Sequence, residues 1–245
     1  MVVFGGSSDI ARAITKKLCM ARAHTVILAG RNQTLLDQAA REAEEYGATK
    51  TDTVLFDAED PSRAASTVEE AFAKAGEPVD LVMVAVGTAG HQVDDEMSAE
   101  GSARMITVNE TWPVAALADV RRRLVDQGSG RILVLSSAAA VRVRRVSYLY
   151  SGAKAGLDRL CVGLAESLEG TGVRLQLLRP AAVRTRMSLG LAPTPFTTGV
   201  NEVADNAVRG LARNDLVIWS PPVLRYVMVL VRLMPSALWR RLANR

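Results

Sequence analysis

The stretch 131-RILVLSS-137, with 148-YLYSGAKAGLDRLCVGLAESL-168 after it, decides the fold class of this 245-residue chain. The first segment is an apolar run that ends in hydroxyls, which is typical of a buried strand. The second segment reads as a helix, whose 3.6-residue period places Tyr150 and Lys154 on one face. Ser137 lies thirteen residues before Tyr150. The spacing can therefore place a hydroxyl, a phenol and an ammonium around one small group.

The rest of the chain alternates in the same way between apolar strands and amphipathic helices. Strand candidates are 2-VVF-4, 25-TVILA-29, 53-TVLF-56, 81-LVMVAV-86, 131-RILVLS-136, 173-VRLQLL-178 and 216-LVIW-219. Such alternation predicts an α/β fold with helices on both faces of a parallel sheet. With 49% hydrophobic residues, the chain can bury one large core. We predict a single doubly wound, Rossmann-like domain with a seven-stranded parallel sheet over residues 1–220, and a basic amphipathic helical extension over 221–245.

The trio of Ser137, Tyr150 and Lys154 suits proton transfer at a carbonyl group. A phenol has a pKa near 10, and a nearby cation favours the phenolate and lowers that pKa. Tyr150 would act as general acid in reduction or as general base in oxidation, while Ser137 holds the carbonyl oxygen. The alternative is an ordinary helix in which Tyr150 packs and Lys154 points to water.

In these residues the chain resembles the short-chain dehydrogenase/reductase family, and the resemblance covers nearly its whole length. The family motif of Ser and Tyr-x-x-x-Lys is joined by an Asn on a preceding helix, where a local distortion lets it hold a water in a proton relay. Asn109 in 104-RMITVNETWPVAAL-117 matches that position. It is also compatible with an ordinary polar residue near a helix break before Pro113. The resemblance implies an NAD(P)-dependent oxidoreductase acting on CH-OH or C=O groups.

The first strand-to-helix turn, 5-GGSSDIARAI-14, is the expected dinucleotide site. A helix N-terminus there would face the pyrophosphate with free backbone N–H groups. The family pattern of three glycines, Gly-x-x-x-Gly-x-Gly, is represented by Gly5, Asp9 and Ala11. Asp9 adds a carboxylate near an anionic ligand unless it caps the helix. The resemblance assigns cofactor contacts in this loop to Gly5, Ser7, Ser8, Asp9 and Ile10.

Further cofactor contacts follow the ends of other strands. Arg31, after the second strand, suits a 2′-phosphate and weakly favours NADP(H) over NAD(H). The family resemblance implies that Asp57 contacts the adenine of the cofactor, although a loop Asp is equally expected as a turn or cap residue. The resemblance also implies that the backbone at Gly87 passes close to the cofactor. It assigns the remaining cofactor contacts to Tyr150 and Lys154, and to Pro180, Val183 and Thr185 in 179-RPAAVRT-185.

Two basic segments bear on the substrate. Arg142, Arg144 and Arg145, between Ser137 and Tyr150, could hold a phosphate, or could form a solvated loop. The tail over 221–245 has five Arg and no acidic residue, whereas the whole chain has a net charge of +4. It fits an interfacial amphipathic helix interrupted at Pro235, too short and too charged to span a bilayer. A subunit interface, a partner interface or a helix docked on its own domain are the alternatives.

The segments 136–158, 179–188 and 221–235 look like those of family members that reduce lipid-linked keto sugars in cell-wall arabinan synthesis. This implies a polyprenyl-phosphate pentose as substrate and a flavin-dependent oxidase as partner. A cytoplasmic protein at the inner membrane face is expected, since no signal peptide is evident. A reductase of another hydrophobic carbonyl, and a non-catalytic subunit with a degenerate nucleotide loop, stay open. His24 and His91 form no metal-spaced cluster, so no metal is predicted, and no motif indicates nucleic-acid binding.

Overall fold

The computed structural model describes residues 1–76, 78–189 and 195–243. Its strands are Val2–Phe4 (β1), Thr25–Gly30 (β2), Lys50–Leu55 (β3), Leu81–Val84 (β4), Gly130–Leu135 (β5), Val173–Pro180 (β6), Val183–Arg184 (β7), Thr198–Gly199 (β8) and Val217–Ser220 (β9). Its helices are Asp9–Ala21 (α1), Gln33–Glu45 (α2), Ala64–Ala75 (α3), Gln92–Glu96 (α4), Ala99–Ile106 (α5), Trp112–Gln127 (α6), Tyr148–Ser167 (α7), Val200–Arg213 (α8), Leu224–Leu233 (α9) and Ser236–Ala243 (α10).

Seven strands form one parallel sheet in the order β3-β2-β1-β4-β5-β6-β9. The predicted α/β fold and seven-stranded parallel sheet are thus confirmed. β7 and β8 form a separate two-stranded parallel pair. The strand order reverses between β1 and β4, so the crevice for a ligand opens at the carboxyl ends of these two strands.

The sheet is buried on both faces, because its strands alternate between two apolar layers. In β1, Val2 and Phe4 pack into one layer and Val3 into the other. Phe4 contacts the Trp112 ring edge-on at 5.7 Å, and Phe56 stacks on Trp112 at 4.2 Å. A strand enclosed on both faces has no polar side to reveal in its sequence. This is why the strand candidates read as continuous apolar runs.

The tail forms two short helices on either side of Pro235, and α9 is weakly embedded in the domain. Leu224 is its only buried residue. Tyr226, Leu230 and Leu233 are 70%, 68% and 76% exposed, and their spacing aligns them along one helix face. No described helix is both long and apolar enough to cross a membrane.

Candidate active site

A cleft of about 720 Å³ opens at the carboxyl edge of the sheet, on the side where β1 and β4 lie next to each other. Its lining comes from the loop between β1 and α1, the ends of β2 and β3, the segment that follows β4, and the helical residues Arg104, Met105 and Val108. The described segment after β7 also contributes, through Thr185, Arg186 and Met187. The cleft therefore lies at the switch point of the sheet, where doubly wound folds bind their ligands.

The loop before α1 is shaped by Gly5 and leaves the helix N-terminus open. Gly5 has φ +83°, and a Cβ there would lie 2.6 Å from the Ala85 carbonyl oxygen. The amides of Gly5 and Gly6 both donate to the Ala29 carbonyl, at 2.8 and 2.9 Å. Ser8 is the N-cap residue, but its side chain makes no capping hydrogen bond. The first-turn N–H groups of α1 are therefore available to an anion.

Asp9 neither caps α1 nor stands free, because Arg186 holds its carboxylate. The Arg186 backbone amide donates to Asp9 Oδ2 at 2.7 Å, and Arg186 Nε donates to Oδ1 at 2.7 Å. Arg186 Nη2 also donates to the Ser7 carbonyl at 2.5 Å. The sequence predicts the Asp9 carboxylate beside an anionic ligand, and in the structure this carboxylate has a cationic partner. That partner, Arg186, was not among the predicted site residues.

Ser137, Tyr150 and Lys154 come together where β5 meets α7. The Ser137 side chain neighbours the Tyr150 phenol, and its Oγ accepts a hydrogen bond from Ala139 N at 3.1 Å. Lys154 is buried, and its ammonium donates to the carbonyls of Val86 and Leu135, each at 3.2 Å. The carbonyl of Val86 lies in the segment that lines the cleft. Lys154 is therefore joined to the cleft wall through Val86 and to the end of β5 through Leu135, although Ser137, Tyr150 and Lys154 are not themselves among the residues that line the cleft.

The electrostatics of this trio differ from the sequence expectation in one respect. Burial raises the pKa of the Tyr150 phenol, and the neighbouring Ser137 side chain only partly opposes that effect. Burial also lowers the pKa of Lys154 to about 8. The expected lowering of the Tyr150 pKa by Lys154 is thus not met in this state, in which the ammonium is held by two backbone carbonyls.

Asn109 lies in a π-helical turn, Thr107–Thr111, between α5 and α6. The predicted local distortion of the helix is therefore present, and such turns occur frequently at functional sites. The Asn109 amide is engaged by backbone groups: Oδ1 accepts from Thr88 N at 3.1 Å, and Nδ2 donates to the carbonyls of Thr88 and Met105, each at 3.0 Å. The side chain consequently fixes the segment after β4 to this helix.

Gly87 lies where Asn109 and Lys154 converge. A Cβ at Gly87 would lie 2.8 Å from Asn109 Oδ1 and 3.0 Å from Lys154 Nζ. Both distances are shorter than or at the edge of what a side chain tolerates, and both neighbours are buried. The glycine therefore allows two predicted catalytic residues to approach the backbone of the cleft wall.

A buried ion pair that the sequence analysis missed supports the catalytic helix. Asp158, one turn after Lys154, accepts from Arg179 Nε at 2.8 Å and from its Nη2 at 2.5 Å. The Ser136 hydroxyl also donates to Asp158 at 2.6 Å. This network ties α7 to the end of β5, next to Ser137, and to β6. No local signal in the sequence joins Asp158 to Arg179, because the two lie 21 residues apart, on α7 and β6.

Arg142, predicted as a phosphate contact, instead fastens the tail to the loop between Ser137 and Tyr150. Its Nη1 donates to the carbonyls of Val231 at 2.6 Å and Met234 at 2.5 Å, at the C-terminal end of α9. The guanidinium lies 5.0 Å from the Trp239 ring centroid. A cation satisfies the unpaired carbonyls and the dipole of a helix end, so the tail uses this arginine for docking.

The other predicted contacts divide into three groups. Those that line the cleft are Gly5, Ser7, Ser8, Asp9, Ile10, Arg31, Asp57, Gly87 and Thr185. Pro180 and Val183 are buried beside it, at the end of β6 and the start of β7. Asp57 also accepts the Glu59 amide at 3.0 Å, as a turn residue does. Arg144 and Arg145 lie in the loop before α7 and do not line the cleft.

Comparison with known proteins agrees with this geometry. An uncharacterized oxidoreductase of Mycobacterium tuberculosis is 36% identical over 242 residues, covering 99% of this chain and 96% of the relative. An uncharacterized oxidoreductase of Streptomyces coelicolor is 40% identical over 248 residues, covering 99% and 95%. Both relatives span this chain almost end to end, including its tail.

The solved structure of a short-chain dehydrogenase from Sphingobium yanoikuyae in complex with NADPH has a TM-score of 0.78 and 26% identity, covering 99% of this chain and 91% of that one. A family model described as short chain dehydrogenase matches residues 1–194. That range contains the open loop before α1, the π-helical Asn109 and the trio of Ser137, Tyr150 and Lys154. The chain therefore belongs to the short-chain dehydrogenase/reductase family of oxidoreductases.

Proposed function

We propose that this oxidoreductase reduces a ketone with NADPH, and that Tyr150 supplies the proton. The observation that carries the proposal is that the buried Lys154, which forms the trio with Ser137 and Tyr150, donates to the Val86 carbonyl in the wall of a cleft that an uncapped helix N-terminus also lines. A phenol next to a hydroxyl donor suits a carbonyl oxygen, and the helix end suits the phosphates of a dinucleotide.

The residues of the cleft fit such a cofactor. The open N–H groups of α1 would hold the pyrophosphate, and Asp57, which lines the same cleft, would contact the adenine. Arg31 is exposed in the cleft after β2, and the next acidic residue along the chain is Asp37, inside α2. An Arg at this place without an acidic neighbour favours a ribose that carries a 2′-phosphate. NADP(H) is therefore the proposed cofactor, and the Sphingobium relative contains NADPH.

When bound, the nicotinamide supplies the hydride that the reaction needs. The chain's own residues handle the oxygen of the substrate. Ser137 donates a hydrogen bond to the carbonyl oxygen, and Tyr150 donates the proton that turns this oxygen into a hydroxyl. Lys154 places a buried positive charge beside the site and stabilises negative charge that develops on the phenol.

Titration with NADPH and NADH, followed by the quenching of protein fluorescence or the gain of nucleotide fluorescence, tests the cofactor proposal. Saturable binding with NADPH at least about 10-fold tighter than NADH is expected from a 2′-phosphate held by Arg31. Absence of binding by either nucleotide would refute the proposal and would support a non-catalytic subunit.

The proposed substrate is the keto group of a polyprenyl-phosphate-linked pentose, as for mycobacterial decaprenylphosphoryl-2-keto-ribose reductase, with a flavin-dependent oxidase as partner. Support comes from the surface next to the loop between Ser137 and Tyr150. The apolar stripe of α9, formed by Tyr226, Leu230 and Leu233, lies exposed on a tail that Arg142 fastens to that loop. Arg225 and Arg232 are exposed on the same helix. Apolar residues flanked by arginines suit an anionic membrane surface.

Sedimentation with vesicles tests the membrane part of this proposal. Leu233→Glu should lower the fraction bound to vesicles that contain phosphatidylglycerol, because it places a negative charge on the apolar stripe. Met20→Glu is the matched control, because it introduces the same charge at an apolar residue that is 66% exposed. Met20 lies outside the tail, near the C-terminal end of α1. Removal of residues 222–245 should lower binding further. Equal binding by wild type, Leu233→Glu and the shortened chain would refute membrane contact.

Substrate identity is tested by adding NADPH and the purified protein to membranes and following which lipid-linked sugar changes. Loss of a polyprenyl-phosphate keto-pentose with gain of its hydroxy form supports the proposal. The second candidate is reduction of another hydrophobic carbonyl compound, since the exposed stripe on α9 would also suit an apolar ketone. Turnover of small apolar ketones without turnover of the lipid-linked keto sugar would select this candidate.

A further inference from the structure

The Asp9–Arg186 pair joins two walls of the cleft that are 177 residues apart in sequence. Asp9 opens α1, at the end of the nucleotide loop, and Arg186 follows Thr185 on the segment after β7. The backbone and the side chain of Arg186 both bind the same carboxylate, so the two walls are fixed in position and in orientation. The Asp9 and Arg186 side chains remain 21% and 46% exposed, so the pair borders the open cleft.

This pair solves an electrostatic problem that the nucleotide loop creates. An anion bound at the N-terminus of α1 would lie close to the first residue of that helix, and this residue is Asp9. An unpaired carboxylate there would repel a pyrophosphate. Arg186 cancels the charge of Asp9 and also donates to the Ser7 carbonyl, within the same loop.

Part of the Arg186 guanidinium makes no hydrogen bond with the described residues. An arginine has five N–H donors in a planar fork, and the side-chain hydrogen bonds of Arg186 with described residues use its Nε and Nη2. Nη1 makes none within the described ranges 1–76, 78–189 and 195–243. Asp9 and Ser7 therefore orient the side chain at the border of the cleft.

We propose that Arg186 is a positioning residue for the cofactor's pyrophosphate, which it serves mainly by neutralising Asp9. The proposal rests on the function proposed above and adds a charge-compensation device to the same site. A glycine at position 9 would need no such partner. Asp9 and Arg186 thus act as one unit, in which the second residue makes the first compatible with an anionic ligand.

The experiment measures the Kd for NADPH of four full-length proteins at low ionic strength: wild type, Arg186→Met, Asp9→Asn and the double variant. Arg186→Met should weaken binding on the order of 10-fold or more, because it exposes the carboxylate to the phosphates. The double variant should recover to within about threefold of wild type, since the repelling charge is gone. Asp9→Asn alone should bind at least as well as wild type.

The matched control is Arg184→Met, which removes the same charge from an exposed arginine two residues away, in β7. It should leave the Kd nearly unchanged. Raising the salt concentration should narrow the gap between Arg186→Met and wild type, because screening weakens the repulsion. A purely structural effect of Arg186 would persist in high salt and in the double variant.

Two results would overturn the inference while the wild type still binds NADPH. The first is an Arg186→Met protein with wild-type affinity, and the second is a double variant as weak as Arg186→Met. Circular dichroism of each variant keeps misfolding apart from lost binding. A wild type that does not bind NADPH at all would refute the proposed cofactor and, with it, the role of the pair toward that cofactor's pyrophosphate.

Discussion

The substitution Lys154→Met should change how the stability of this protein depends on pH. Lys154 is 4% exposed, and burial lowers its pKa from 10.5 to about 8. Below the folded-state pKa, the Lys154 ammonium is charged in the folded protein and in the unfolded chain, so the folded protein bears the full free-energy cost of burying that charge. Above it, the folded protein releases a proton that the unfolded chain still holds. Stability therefore rises with pH between about 8 and 10.5 because of this residue.

The size of the effect follows from the two pKa values. Between about pH 7 and about pH 9.5, the wild type should gain about 2 kcal/mol of unfolding free energy relative to Lys154→Met. For a chain of this length that corresponds to about 4–8 °C in Tm. Tyr150, Cys19 and Cys161, whose pKa values burial raises, act in the opposite direction. They are present in both proteins, so the comparison largely removes their contribution.

The assay is urea denaturation of both proteins at the two pH values, followed by far-UV circular dichroism at constant ionic strength. The lost hydrogen bonds to Val86 and Leu135 lower the variant's stability at both pH values alike, so they drop out of the difference. If the two proteins respond to pH to within about 0.5 kcal/mol of one another, Lys154 does not carry a lowered pKa and the reasoning fails.

Three further predictions concern single residues of the site. Tyr150→Phe should lower kcat by at least about 100-fold, while the Kd for NADPH stays within about threefold of the wild-type value. Steady-state kinetics and fluorescence titration measure these two constants, and a near-normal kcat would show that Tyr150 is not the proton donor. Gly87→Ala should weaken NADPH binding and lower kcat, because its methyl group would lie 2.8 Å from Asn109 Oδ1; unchanged kinetics would mean that the segment shifts without consequence. Arg142→Met should raise amide exchange in α9 by at least about 10-fold, since it removes two charge-assisted hydrogen bonds, whereas Arg144→Met should not, and equal protection in both variants would contradict the docking role.

Much of the fold could be predicted from the sequence, because a parallel sheet enclosed by helices imposes a strong local pattern. The inner strands of the sheet contain apolar runs, and seven such runs were sufficient to predict seven strands, although the edge strand β3 begins earlier than predicted, in the polar residues Lys50, Thr51 and Asp52. The pair β7–β8 was missed, since each of its strands has only two residues and shows no periodicity. The catalytic trio was predictable for a similar reason: the Tyr150 and Lys154 spacing is set within one helix.

The features that sequence reasoning missed depend on contacts between distant segments. Arg186 looks like any exposed arginine until the segment after β7 returns to the nucleotide loop and places it on Asp9. Arg142 was interpreted as a ligand for phosphate because an arginine in a loop has the same local signature whether it binds an anion or a helix end. Asp158 and Arg179 likewise become partners only when α7 packs on β6.

The fastening of the tail by Arg142 has a consequence for how this protein can vary in evolution. The loop between Ser137 and Tyr150 and the two tail helices are encoded at separate places, yet the carbonyls of Val231 and Met234 are satisfied by that loop. A lineage that replaced the tail alone would leave a partly buried guanidinium without its acceptors. Loop and tail are therefore expected to be inherited, lost or exchanged together, and chimeras between relatives should remain active only when both segments come from the same parent.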